Sequence, residues 1–247
     1  MDDTEIFALG NMTNSSQAMF ERRRRILDEA RRMIGRGGLE AFNIRDLCEK
    51  AGVASRTLYY AFDSKENIIA LAIKGYFEAF DSKIGIGESL SSFQGALAHQ
   101  VTTTVRNQEI PNYLRAVAAL YFSPSLHADI RRVMLEIGTR SWRPWLQAVG
   151  LGRQLRRGVQ VDRMLIDLSN LQFAKVHEWG LGELSDDAFL DRTLDAVLLL
   201  LLGATKGAAL KDVRESYDQL QRSPEFKEGL IATAHTRIMA LSNTPAE

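Results

Sequence analysis

Apolar residues recur along this chain at helical spacing, and no stretch sustains a period-two alternation, so the pattern predicts an all-α protein. A first helix, about Met19 to Gly35, carries Ile26, Leu27, Ala30, Met33 and Ile34 on one face and ends at Gly35, Gly37 and Gly38. The next is short. Asn43 is a good N-cap, Phe42 and Leu47 are placed as a hydrophobic staple, and Ile44, Leu47, Cys48 and Ala51 form the i, i+3, i+4, i+7 stripe before Gly52 stops the helix. After one tight turn a third helix is predicted from about Ala54 to Ala61. Val53, Leu58 and Phe62 point inward, which leaves Ser55, Arg56, Tyr59 and Tyr60 outside. A fourth, capped by Asp63 or Ser64, runs through Ile69, Ala72, Ile73, Tyr76 and Phe77 towards Phe80 and is long enough to connect two domains.

Further helices are predicted at about 88–107, 111–122, 125–149, 159–181, 185–209 and 224–241, divided by proline and glycine. Within 125–149, Leu135, Trp142, Trp145 and Val149 share a face, and a tryptophan there either fills a core or lines a pocket. The helix at 159–181 has two apolar faces, one with Leu165, Leu168, Val176 and Trp179, the other with Ile166, Phe173, His177 and Leu181. It is therefore expected to be buried on both sides. The helix at 185–209 carries Phe189, Val197 and an unbroken run from Leu198 to Leu202, more apolar surface than the outer helix of a monomer needs. Residues 1–17 are polar and aperiodic, and are expected to form a disordered tail.

The 31 basic and 31 acidic residues cancel, but unevenly. Between Phe20 and Lys65, nine Arg and two Lys face seven acidic residues, while Glu66 to Glu247, with 20 basic and 21 acidic residues, is close to neutral. A local basic excess fits an anionic partner for that segment. The single cysteine, Cys48, excludes an internal disulfide and reads as a small core residue in a reducing compartment. The N-terminus lacks a signal-peptide pattern and the greasiest run, from Ala196, is far short of the roughly 20 residues of a membrane span, so a cytoplasmic protein with no membrane partner is expected. The four histidines are dispersed and no hydrolase, zinc or phosphate-loop motif stands out, so neither catalysis, a cofactor nor a metal is expected.

Two short helices joined by a glycine turn, the second exposing small, hydrogen-bonding and aromatic side chains, describe a helix-turn-helix able to enter a major groove. The segment resembles the TetR family of one-component transcriptional regulators. The matching residues are "ILDEA" in the first helix, "IRDLCEKAGV" in the second, "TLYYAF" in the third and "SKENI" opening the fourth, over about Arg23 to Ala72. It departs from the family pattern at Ala54, which removes a possible cap that Ser55 could replace, and at Ala61, which removes a DNA contact.

The resemblance implies an N-terminal three-helix helix-turn-helix domain at 18–65 and a C-terminal helical bundle at 66–247 for dimerisation and ligand sensing. It further implies a homodimer on a palindromic operator, most often as a repressor, released by a small-molecule effector. By the resemblance, Ser55, Arg56 and Thr57 read bases, Tyr59 and Tyr60 clamp the backbone, Arg45 touches base or phosphate, and Lys65 anchors a phosphate. Tyr59 could instead be core, and the Arg22–Arg25 run could be a solvated face or a backbone-following arm. Candidate ligand contacts are Tyr121, Trp142, Trp145, Phe173 and His177, an aromatic and largely uncharged set that favours an apolar or amphipathic effector; the candidate dimer interface holds Phe189, Val197 and Leu201. Two other readings stay open: a helical-bundle small-molecule binder or enzyme that has lost DNA function, and an adaptor using Tyr59 and Tyr60 as anchors.

Overall fold

The computed structural model describes residues 14–81, 90–124 and 128–242. These hold twelve helices: α1 (Asn14–Gly37), α2 (Ile44–Ala51), α3 (Ser55–Phe62), α4 (Lys65–Asp81), α5 (Phe93–Gln108), α6 (Pro111–Tyr121), α7 (Ala128–Thr139), α8 (Arg143–Leu151), α9 (Val161–Gly180), α10 (Asp186–Ala204), α11 (Gly207–Arg222) and α12 (Pro224–Ser242). The chain divides into two compact units between Ile73 and Lys74, a point inside α4. Residues 1–13 of the expected tail lie outside the described residues, whereas Asn14 to Gln17 already belong to α1.

The first unit is built from local signals. The side chain of Asn43 accepts the Asp46 amide at 2.8 Å and so caps α2, while Phe42 and Leu47 are both buried, as a staple requires. Gly52 then takes a left-handed conformation (φ 64°, ψ 44°), and the amides of Gly52 and Val53 close the turn onto the carbonyls of Glu49 and Cys48. At α4 it is Ser64, not Asp63, that caps, its hydroxyl accepting the Asn67 amide at 3.0 Å. Ile26, Ile34, Leu47, Leu58, Phe62 and Ile68 form a small interior in which none of them is more than 1 % exposed.

In the second unit, α5 and α9 are the organising helices: α5 packs on α12, α10 and α8, and α9 on α10, α6 and α7. One continuous core joins Phe93, Leu97, Val101, Trp142, Trp145, Leu168, Val197, Leu198 and Leu201. Three predicted helices are corrected. The one at 125–149 is two, because Pro144 lacks an amide hydrogen and its ring collides with the preceding turn; the chain leaves the helix at 140–142 and restarts with proline in the first turn of α8. The one at 185–209 ends at Ala204, where Thr205 turns extended and bridges to Leu155, and α11 follows as an unanticipated helix. At 159–181, Leu165, Leu168, Val176 and Trp179 are buried as expected, and of the second face Phe173 is buried too, but Ile166, His177 and Leu181 are exposed, so that face is only partly covered within the protomer.

Candidate nucleic-acid interface and interior cavity

On α3 the apolar positions Leu58 and Phe62 face the interior, which turns Ser55, Arg56, Tyr59 and Tyr60 outward. Tyr59 is 44 % exposed and Tyr60 89 % exposed, so neither is a core residue. Thr57 is half-buried and lies aside from that strip, while Arg45 is exposed on α2. The N-cap of α3, Ala54, makes no side-chain hydrogen bond, and Ser55 does not substitute for it, since its hydroxyl lies 3.5 Å from the Cys48 sulfur instead. Lys65 is half-buried at the start of α4, its ammonium 5.6 Å from the centre of the Phe42 ring. Its charge therefore sits at the positive end of a helix, where an anion is favoured.

The arginine run separates into different roles. Arg23 donates to the carbonyl of Ala61 and lays its guanidinium 4.5 Å over the Phe62 ring, tying α1 to the end of α3. Arg22, Arg24 and Arg25 are exposed. This division was not legible in four consecutive arginines, because only the packed position of α3 decides which of them reaches Phe62.

The second unit encloses a cavity of about 60 Å³ lined by α4, α5, α6, α7, α9 and α10. Of the five expected ligand contacts only Phe173 lines it. The other four lie away from its lining. Trp142 is fully buried and donates its indole N–H to Gln100 at 2.9 Å, one bond behind the wall. Trp145 packs into the core 5.2 Å from the Phe93 ring centre, Tyr121 stacks behind Phe173 at 4.1 Å and donates to Asn170, and His177 is on the surface beside Phe122. The residues that sequence reasoning passed over are Gln100, Thr103, Thr104 and Asn107, one polar stripe on α5. Their i, i+3, i+4, i+7 spacing was the available signal: a polar face on a helix whose other faces are also buried.

The three expected interface residues lie inside the protomer. Phe189, Val197 and Leu201 are at most 1 % exposed in the protomer, packed in its own interior, so they present nothing to a partner. The large apolar side chains exposed on α9 and α10 are Ile166 and Leu199, at 43 % and 52 %. Next to the cavity region, Tyr76 packs 4.8 Å from Tyr113, and burial holds its phenol above the ordinary tyrosine range against the opposing charge of Arg106.

No helix among the described residues is long and apolar enough to cross a membrane. The family model for bacterial regulatory proteins of the tetR family matches residues 26–72, the whole of the helix-turn-helix. Among characterised relatives, the transcriptional repressor KstR of Rhodococcus jostii is 43 % identical over 127 residues, 51 % of this chain and 60 % of that one. The chain thus spans less than two thirds of that relative's length. The DNA-binding transcriptional repressor TetR of Mycobacteroides abscessus is 28 % identical over 72 % of this chain and 92 % of that one. A solved TetR regulator from Rhodococcus shares the fold, with a TM-score of 0.56 at 21 % identity over 75 % of this chain and 97 % of the other. The N-terminal unit of the chain carries the helix-turn-helix domain of the tetR family of bacterial regulatory proteins.

Proposed function

We propose that the chain is a ligand-responsive transcriptional repressor that binds a palindromic double-stranded DNA operator as a homodimer. The observation that carries this reading is the exposed strip of Ser55, Arg56, Tyr59 and Tyr60 on α3, the second helix of the helix-turn-helix. Two neighbouring tyrosines on a solvated face fit a partner that covers them, and sugar-phosphate with base edges does so. Arg56, Ser55 and Thr57 read bases, Tyr59, Tyr60 and Arg45 hold the backbone, and Lys65 binds a phosphate at the start of α4. The names of the KstR and TetR relatives, both repressors, support the sign of regulation.

The dimer face is reassigned to the surface that α9 and α10 leave uncovered. Leu199 lines a cleft of about 420 Å³ together with Met164, Leu200, Gly203, Arg163 and Asp167, and Ile166 is exposed on α9 between Arg163 and Asp167 in sequence. In a two-fold contact the same patch meets itself, so Arg163 of one protomer can pair with Asp167 of the other around an apolar centre. Such symmetry sets two reading helices roughly 34–36 Å apart, one turn of duplex, and makes the operator palindromic. An effector bound in the second unit acts by preferring one spacing of the reading helices.

The test is selection of bound fragments from genomic DNA, followed by fluorescence anisotropy of the selected duplex and a shuffled one across a salt series. The expected result is a palindrome bound far more tightly than the shuffled duplex, with affinity falling as salt rises. Equal, weak binding to both duplexes at every salt concentration would leave a helical-bundle binder without DNA function as the better reading.

A further inference from the structure

The cavity of the second unit carries more information than its size. One part of the lining is the α5 stripe Gln100, Thr103, Thr104 and Asn107; the rest is mostly apolar, with Leu114, Val117 and Phe173 among it, interrupted by Ser141, Gln172 and Thr193. Part of the polar wall is satisfied internally: the Gln100 amide donates to the Thr104 hydroxyl at 3.1 Å, and that hydroxyl donates to the Gln100 carbonyl at 2.8 Å. Thr103 differs. Its hydroxyl oxygen is buried and has no hydrogen-bonding partner within the protein. A buried hydroxyl left unpaired costs on the order of 1–3 kcal/mol, and a hydroxyl on a cavity wall recovers that cost when an occupant pairs with it.

The lining holds no Asp, Glu, Lys, Arg or His. An ionised occupant would lose its hydration with no counter-charge to replace it, so charge is excluded far more strongly than polarity. The volume of about 60 Å³ is well below the roughly 300–1,000 Å³ of drug-sized sites. At about 10–15 Å³ for each water-sized group it admits about four to six heavy atoms as it stands, so a six-carbon ring bearing one oxygen enters with a small outward shift of the lining side chains.

We propose that this cavity is the effector site and that its ligand class is a compact, neutral, mostly apolar ring-sized molecule bearing one hydrogen-bonding oxygen. The oxygen pairs with Thr103 and the body lies against Phe173, Leu114 and Val117. This assignment rests on the ligand-responsive reading above and names the chemistry of its ligand.

A matched set of six-carbon rings tests it on the full-length protein: cyclohexanol and cyclohexanone against methylcyclohexane and cyclohexanecarboxylate. Binding is followed by the indole N–H resonance of Trp142, which hydrogen-bonds Gln100 on the polar wall, with Trp179 as the internal control because its N–H is held by Asp186 elsewhere. The alcohol and ketone are expected to shift the Trp142 signal saturably and to raise Tm, with methylcyclohexane roughly tenfold weaker and the carboxylate inactive. Thr103→Val is expected to raise the Tm of the ligand-free protein by a few degrees, since it removes the unpaired hydroxyl, and to weaken the alcohol roughly tenfold while leaving methylcyclohexane unchanged. Val117→Phe, which fills the cavity, is expected to abolish binding of every ring. The assignment is overturned if no ring binds, if the carboxylate binds as well as the alcohol, or if Thr103→Val leaves the alcohol's affinity intact. Operator affinity is measured in parallel. If saturating cyclohexanol leaves operator affinity unchanged, the ligand-responsive reading fails and the site stands; if operator binding is intact but no ring enters, the site fails and DNA recognition stands.

Discussion

The two compact units of the chain place their informative polar groups on opposite sides of their surfaces. In the first, Ser55, Arg56, Tyr59 and Tyr60 stand outside a small apolar interior, held there by a helix of only eight residues. In the second, Gln100, Thr103, Thr104 and Asn107 face inward, onto a cavity whose remaining lining is mostly apolar and includes Phe173. The outward set is positioned by neighbours in sequence: the Asn43 cap, the left-handed Gly52 and the Ser64 cap all lie within about a dozen residues of it. The inward set is positioned by α6, α7, α9 and α10, whose residues lie far along the chain. A reading head must be rigid and accessible, and local caps achieve that cheaply; a ligand site must exclude water, and only long-range packing does so.

The contrast is broken most severely by charge in the second unit. Val197→Glu is expected to unfold that unit, because a carboxylate at a position 0 % exposed in the protomer costs several kcal/mol with no partner. Leu199→Glu, two residues along the same helix but 52 % exposed, is expected to preserve the fold and yield monomers that bind one palindrome weakly. Circular dichroism with sedimentation separates the two; a folded, monomeric Val197→Glu protein would return the dimer interface to Val197. Of intermediate size is the division of labour on the reading head. Arg56→Ala should cut the preference for operator over shuffled DNA by about 1–3 kcal/mol, whereas Lys65→Ala should weaken both duplexes alike, as anisotropy at fixed salt will register. Smallest is Asn43→Ala, which removes the α2 cap and should cost about 1 kcal/mol in denaturant unfolding, with a parallel loss of operator affinity as α3 loses its brace.

Much of the first unit is legible in the linear sequence. Caps, staple, glycine turn and the outward strip all depend on residues a few positions apart, so a linear pattern carries them. What it misses there are contacts across helices: Arg23 reaching Ala61 and Phe62, and Ser55 turning to Cys48 rather than capping α3. In the second unit, helix positions are mostly legible, but α7 and α8 are fused when the weight of Pro144 inside an apolar run is passed over. The helix α11 escapes notice because its buried face, Ala209, Val213 and Ser216, is sparse among charged neighbours. Large aromatics are a poor criterion for ligand contacts, since they select core as readily as pocket. Trp142 and Trp145 are core, and the wall is made of amides and hydroxyls that look ordinary in sequence.

By itself the sequence determined the all-helical class, the helix-turn-helix with its outward tyrosines and the confinement of the basic excess to the first quarter. These follow from periodicity, capping and charge, which act within one or two turns of helix. Only the tertiary structure decided which apolar residues of α9 and α10 are spent on the protomer's own core and which, Ile166 and Leu199, remain outside. It also decided that Thr103 faces a cavity with its hydroxyl unpaired. An apolar side chain carries no mark of the surface it will meet, because hydrophobic burial is non-directional; the partner is settled only when the helices dock.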